Sequence, residues 1–252
     1  MRVTFLGTGA AGGVPLYGCA CPACRRAQAE PAFVRRPACV LIENGATRLL
    51  LDAGLMDLAE RFPPASLSAI LLTHYHPDHV QGLFHLRWGV GQAIPVFAPP
   101  DSAGCADLHK HPGVLSFQRA KKFVPLRLGS LTISPLPLIH SKPTWGYAVQ
   151  NDEGERFAYL TDTLGLPDAT ERFLKTWGKF ELALDCTFPP NSPPANHNDW
   201  HTALASINAV GPTRTWLTHI GHQFDHWLLQ TAPAIPSGIR VARDGQVVML
   251  GG

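Results

Sequence analysis

The stretch that most constrains this chain is Ile70 to Val80, ILLTHYHPDHV, where an apolar run of strand character ends and His74, His76, Asp78 and His79 follow at once. Three imidazoles and a carboxylate set against a buried strand cost free energy unless something pairs them, and a divalent cation does so well. Around a tight turn, alternating positions of this kind address two neighbouring cations. More ligand types recur at the ends of other apolar runs: His140 closes LTISPLPLI, Asp162 follows FAYLT and His219 follows TWLT. Each alone reads more readily as a hydrogen-bonded structural residue. Their repeated placement where strand hands over to loop argues for convergence on one site. Together they make seven candidate ligands for two metals.

A core large enough to support such strand ends is available, since 45% of the 252 residues are hydrophobic and 16% are charged, as one compact domain spanning 1–252 requires. Short apolar runs predict strands over Val3 to Leu6, Cys39 to Glu43, Arg48 to Leu51, Ala69 to Leu72, Pro95 to Phe97, Leu131 to Pro135, Gly146 to Val149 and Phe157 to Leu160. Later strands are predicted over Leu182 to Leu184, Thr215 to Leu217, Arg240 to Ala242 and Val247 to Leu250, the last two joined as a hairpin by an Arg-Asp-Gly-Gln turn. Helical spacing is clearest over Leu55 to Arg61, Pro167 to Trp177, Asp199 to Val210 and Gln223 to Gln230. No internal repeat or low-complexity linker interrupts this order. Helices interspersed among many strands predict an α/β protein of two packed sheets with helices outside.

The formal net charge of +2 gives no field for steering a polyanion, which speaks against a dedicated nucleic-acid binder. The opening MRVTFLGTGAAGGV reads as a first strand and loop, not a signal peptide, and no run nears the ~20 apolar residues of a membrane span. Six cysteines would allow disulfides, yet Cys19, Cys21 and Cys24 crowd together without an export signal. Metal binding in a reducing cytoplasm is the better expectation. The C-x-C-x2-C pattern supplies three thiolates in a loop at about 17–26 and lacks one ligand for tetrahedral zinc. His222, three residues after His219, is the candidate fourth; reduced, unliganded thiols are the alternative. Cys39, Cys105 and Cys186 read as buried thiols. Asp52 in LLLDAG, at a strand end, fits a helix N-cap.

THYHPDH resembles the His-x-His-x-Asp-His signature of the metallo-β-lactamase superfamily, and His140, Asp162 and His219 fall in that family's order. The resemblance implies a four-layer αββα sandwich of two mixed sheets flanked by helices. It implies that His74, His76 and His140 hold one metal, Asp78, His79 and His219 the other, that Asp162 bridges them, and that Asp52, the helix N-cap being its alternative, orients a ligating histidine through its free ring nitrogen. His76 stands where the redox diiron branch has an acidic residue, which implies a hydrolytic site. GTGAAGGVPLYGCACPAC, LLTHYHPDHVQGLFHLRWGVG, PLPLIHSKPTWGY and LTHIGHQFDHWLL resemble the narrower PhnP family of cyclic-phosphate phosphodiesterases, almost from end to end. That likeness implies two catalytic manganese (or zinc) ions, a structural zinc, a homodimer, and opening of 5-phosphoribosyl 1,2-cyclic phosphate to ribose 1,5-bisphosphate in phosphonate catabolism.

For the proton donor to the leaving oxygen, with Asp78 as a catalytic ligand, His197 in ANHNDW is preferred. It precedes an expected helix whose N-terminus favours phosphate but tends to lower an imidazolium pKa. His201 competes, because its His-Thr-Ala context resembles the acid motif of the superfamily's tRNA-processing branch. Lys142 and Arg87 are candidate partners for the substrate's terminal phosphate, although a solvated Lys or an Arg in a structural ion pair is the more common role. His85, His109, His111 and His226 have no spacing argument and read as ordinary polar residues.

Three other functions are weighed against this one. A tRNA 3′-end endonuclease would carry a basic arm, and none is seen. A lactone or thioester hydrolase would use the same ligands. A non-catalytic binding module fits poorly with a complete set of ligands. The expected partner is a small phosphorylated sugar, with no membrane and no stable nucleic-acid partner.

Overall fold

The computed structural model describes residues 1–101 and 103–251. Alternation of buried and half-exposed side chains in RVTFLG makes Arg2–Gly7 a strand (β1) with Val3 and Phe5 turned inward. In chain order there follow Cys39–Asn44 (β2), Thr47–Leu51 (β3), Ala69–Leu71 (β4), Ile94–Ala98 (β5) and Leu115–Arg119 (β6). The second half adds Leu126–Leu128 (β7), Leu131–Pro137 (β8), Trp145–Asn151 (β9), Arg156–Leu160 (β10), Glu181–Asp185 (β11), Arg214–Thr218 (β12), Ile239–Val241 (β13) and Gln246–Met249 (β14). Helices are Pro22–Ala29 (α1), Leu58–Arg61 (α2), Pro77–Val80 (α3), Leu83–Leu86 (α4), Ala106–Lys110 (α5), Asp168–Thr176 (α6), Trp200–Val210 (α7) and His222–Thr231 (α8).

The strands form two seven-stranded sheets, ordered β14-β1-β2-β3-β4-β5-β6 and β13-β12-β11-β10-β9-β8-β7. Between them Phe5, Tyr147, Phe157, Tyr159 and Trp216 pack into one shared core. The outer faces are apolar as well. Ile70, Val80 and Leu83 lie in a core on the far side of the first sheet, and Leu182, Ala203 and Phe224 in one on the far side of the second. The result is the α/β four-layer αββα sandwich anticipated above.

Although the two halves share no sequence repeat, they repeat a topology. In each, antiparallel strands (β1 to β3, then β7 to β10) give way to three parallel pairings (β3 through β6, then β10 through β13). The change of direction falls at β3/β4 and β10/β11, where connections diverge and a crevice opens beyond the strand ends. Every candidate ligand of the main site lies in that crevice.

The expected hairpin near the C-terminus is not formed. β13 joins β12 in parallel in one sheet, and β14 joins β1 in antiparallel fashion in the other. The turn between them crosses from sheet to sheet. Gly245 N–H donates to the Phe5 carbonyl at 2.7 Å, while the Asp244 carboxylate accepts from Thr8 Oγ1 at 2.7 Å and Arg36 N–H at 2.8 Å. Turn residues suit either arrangement; pairing with β1 and β12 decides. β6 and β7 were also unforeseen, being half-exposed edge strands whose alternation is weak. The cysteine loop is shorter than expected, because Pro22 starts α1 at a position where a proline costs no hydrogen bond. Asp57, not Asp52, precedes α2. Among the described residues no helix is long and apolar enough to cross a membrane.

Gly54 fixes how closely the loop after β3 approaches α3. A Cβ there would stand 1.7 Å from the Asp78 carbonyl oxygen. Gly54→Ala is therefore expected to destabilise the protein by about 1–3 kcal/mol through overpacking, read as a lower urea midpoint.

Candidate metal centre

The loop from β4 into α3 delivers four side chains within one turn. His74 leaves the strand end, His76 precedes α3, and Asp78 and His79 occupy its first turn. His140 follows β8, Asp162 follows β10 and His219 follows β12. These converge as two donor groups. His74, His76, His140 and Asp162 form one, and Asp78, His79, His219 and Asp162 the other; within each group the ligand atoms all lie within 4.8 Å of one another. Asp162 belongs to both. Its Oδ2 is 3.7 Å from His74 Nε2, 3.8 Å from His140 Nε2 and 3.3 Å from His79 Nε2, and its Oδ1 is 3.3 Å from His219 Nε2.

The chemistry of this donor set fits cations. His79 Nε2 and His219 Nε2 are buried without a hydrogen-bond partner, a costly state for an imidazole and a normal one for a metal ligand. Burial pushes the His74 imidazolium well below its ordinary pKa, with neighbouring His79 adding to the effect, so His74 is neutral and able to ligate. Burial opposes the charge of Asp162, but His219, His79 and His74 outweigh it and hold the carboxyl well below the usual range. At His79, burial is outweighed by Asp52, Asp162 and Asp78, which favour a positive charge there. A bound cation would supply that charge.

Each imidazole is also held from behind. His79 Nδ1–H donates to Asp52 Oδ2 at 2.8 Å; His74 Nδ1 meets Thr73 Oγ1 at 3.0 Å, and that hydroxyl donates to Asp52 at 2.9 Å. His219 Nδ1 meets Thr187 Oγ1 at 2.8 Å, and Thr187 donates to Asp185 Oδ1 at 2.8 Å. His140 Nδ1–H donates to the Asn196 carbonyl at 3.1 Å, and His76 Nε2 stands 3.4 Å from Ser141 Oγ. These partners fix which nitrogen faces the centre. Asp52 thus orients ligands and caps no helix.

His197 joins this centre. Its ring stacks on His219 with centroids 4.7 Å apart at 15°, and its Nε2 lies 4.0 Å from Asp162 Oδ2. Its Nδ1–H donates to Asp185 Oδ2 at 2.8 Å. Burial works against the imidazolium, yet the Asp185 carboxylate outweighs it and holds the His197 pKa at about 9. The lowering expected from a helix N-terminus is overruled by that contact. His201 instead lies exposed on the first turn of α7 and belongs to neither donor group.

Neither candidate phosphate cation is free. Arg87 is buried, paired with Asp107 at 2.7 Å and donating to the Asp107 and His111 carbonyls, so it is a structural ion pair away from the ligands. Lys142 stands beside His140 in sequence but pairs with Asp101 at 3.2 Å. Sequence reasoning overlooked Asp185 and Thr187. Asp185 ends β11 as Asp162 follows β10, so its strand-end position was the available signal.

The cysteine loop builds a second centre. Cys19, Cys21, Cys24 and His222 bring their ligand atoms within 4.8 Å of one another, with Cys19 Sγ and Cys21 Sγ 3.5 and 3.7 Å from His222 Nδ1. Burial and the neighbouring thiols push Cys24 up to about 12, a proton that zinc binding would displace. All six cysteines are free; Cys39 and Cys186 are buried and Cys105 half-buried. Among the described residues no ligand cluster includes His85, His109, His111 or His226.

Two measurements test these centres. Asp52→Ala should weaken metal binding at the main centre by about 10–100-fold, read by chelator competition. If the cysteine cluster holds a metal ion, Cys24→Ser should lose it, read as a lower metal content by elemental analysis.

Comparison with known proteins places this geometry. A family model described as a beta-lactamase superfamily domain matches residues 47–220. An octanoyltransferase from Porphyromonas gingivalis is 28% identical over 239 residues, covering 88% of this chain and 46% of that protein. The chain spans about half the length, or less, of the curated relatives it matches. Among solved structures, a diphosphatase from the PhnP family superposes with a TM-score of 0.82 at 26% identity, covering 98% of this chain and 97% of the other. Zinc-bound PqqB from Methylobacterium extorquens superposes with a TM-score of 0.77 at 19% identity, covering 99% and 100%.

Proposed function

Because this chain belongs to the beta-lactamase superfamily, we propose that its two donor groups hold a pair of divalent cations, manganese or zinc, and that it hydrolyses phosphodiester bonds. The observation that carries this reading is His197, an imidazole whose Nδ1 is held by Asp185 at 2.8 Å and whose Nε2 lies 4.0 Å from the carboxylate shared by both groups. Cations held there would activate water and offset the negative charge of a phosphoryl group.

The chain's own residues do the rest. Asp52 and Asp185 hold, directly or through Thr73 and Thr187, the imidazoles His74, His79 and His219 in orientation, so no reorganisation is needed as charge develops. His197 keeps Nδ1–H on Asp185 and presents Nε2–H to the departing oxygen, which leaves as a neutral hydroxyl. Beside it a cavity of about 270 Å³, lined by Gly12, Gly13, Leu16, His197, His219 and Gln223, suits a small substrate.

The finer reading is a 5-phosphoribosyl 1,2-cyclic phosphate opened to ribose 1,5-bisphosphate, with a structural zinc on Cys19, Cys21, Cys24 and His222. Three things support it: the small cavity, a net charge of +2 that suits no large polyanion, and the full-length likeness to a PhnP-family diphosphatase.

With metals loaded, phosphorus NMR should show ring opening of that cyclic phosphate. His197→Ala should lower kcat by about 10²–10⁴ while retaining both cations. Asp185→Asn should lower it less. Cleavage of a lactone with no turnover of any phosphodiester would sink the proposal.

A further inference from the structure

A cavity of about 870 Å³ lies away from both donor clusters, between α1, the outer half of α8 and the β13–β14 turn. None of its lining residues belongs to a metal-ligand group. Its charge is unbalanced: the guanidiniums of Arg26, Arg35, Arg240 and Arg243 face the carboxylates of Asp225 and Asp244 alone, a net charge of +2 in one concavity.

The two carboxylates are already engaged. Asp225 takes both Nε and Nη2 of Arg35, at 2.6 and 3.0 Å, and Arg35 donates further to Thr8 Oγ1 and the Ala242 carbonyl. Asp244 accepts from Thr8 and from the Arg36 backbone. Among the described residues, Arg26, Arg240 and Arg243 form no ion pair. Two of these cations converge on one ring: the Arg26 guanidinium lies 3.8 Å from the Phe33 centroid and that of Arg243 5.6 Å from it. Like charges this close, within about a Debye length of ~8–10 Å, repel unless an anion lies between them. Arg26 Nε is moreover buried with no hydrogen-bond partner, a donor that a ligand oxygen would satisfy.

We propose that this cleft is a second binding site, which takes a phosphate-bearing small molecule. Planar guanidinium forks match phosphate oxygens, and the Arg26 fork itself packs over the Phe33 ring. Leu228, Ile239 and Val241 supply an apolar wall for a compact organic body such as a sugar. The walls α1 and α8 also carry Cys24 and His222, so the ligand would brace the same two helices that the cysteine centre joins.

The test is calorimetric titration of the metal-loaded protein with ribose 5-phosphate. Wild type should show a binding isotherm that weakens with added salt and is absent in R26Q/R243Q, with the rate of phosphodiester turnover unchanged. Arg243 is exposed, so R243Q alone keeps the test open if the double variant fails to fold; it should weaken that isotherm by on the order of tenfold. Binding unaltered by R243Q, or a single isotherm lost only when His79 is replaced by alanine, would overturn the proposal.

Discussion

Everything in the crevice is arranged around the buried carboxylate of Asp162. It is 2% exposed and shared by two donor groups, an expensive place for a negative charge. Imidazoles at 3.3 to 3.8 Å surround it. They make the charge tolerable, and it in turn makes a cationic centre favourable. Removing either side would leave buried polar groups without partners, so the ligands belong to one energetic unit.

Two carboxylates behind that unit, Asp52 after β3 and Asp185 at the end of β11, play matching parts. Each receives a threonine hydroxyl that also meets a ligating imidazole: Thr73 with His74, and Thr187 with His219. Each also accepts directly from a histidine, His79 in one half and His197 in the other. The match is one of contacts and not of equivalent positions: Asp52 follows β3, the strand at the change of pairing, whereas Asp185 ends β11, one strand beyond the corresponding β10. Both carboxylates stand beside the change from antiparallel to parallel pairing, where strand ends open toward the same crevice. Strands buried on both faces then hold these groups rigidly, which a site built on free loops would not achieve.

Much of this was legible beforehand because ligand chemistry is written in residue types. Histidines and aspartates placed after apolar runs carry a signal that survives without coordinates, and the strands themselves show in runs such as FAYLT and TWLT. Asp185 was harder to see. A lone aspartate at the end of ELALD has many uses, and only the approach of His197, twelve residues later, assigns one. Arg87 is undecided in the sequence for a related reason: an arginine beside a ligand-rich segment gives no sign of whether it faces a bound molecule or pairs with Asp107, as it does.

By itself, the sequence determined the alternation of strands and helices and which donor side chains are available, the histidines and aspartates after apolar runs and the clustered thiols, since local hydrophobic period and donor chemistry are properties of short segments. The tertiary structure alone decided which sheet β13 and β14 join, which carboxylate governs His197, and that Arg26 and Arg243 meet over Phe33. Those outcomes depend on contacts between segments far apart in the chain. Their energies come from pairing and burial that no single segment encodes.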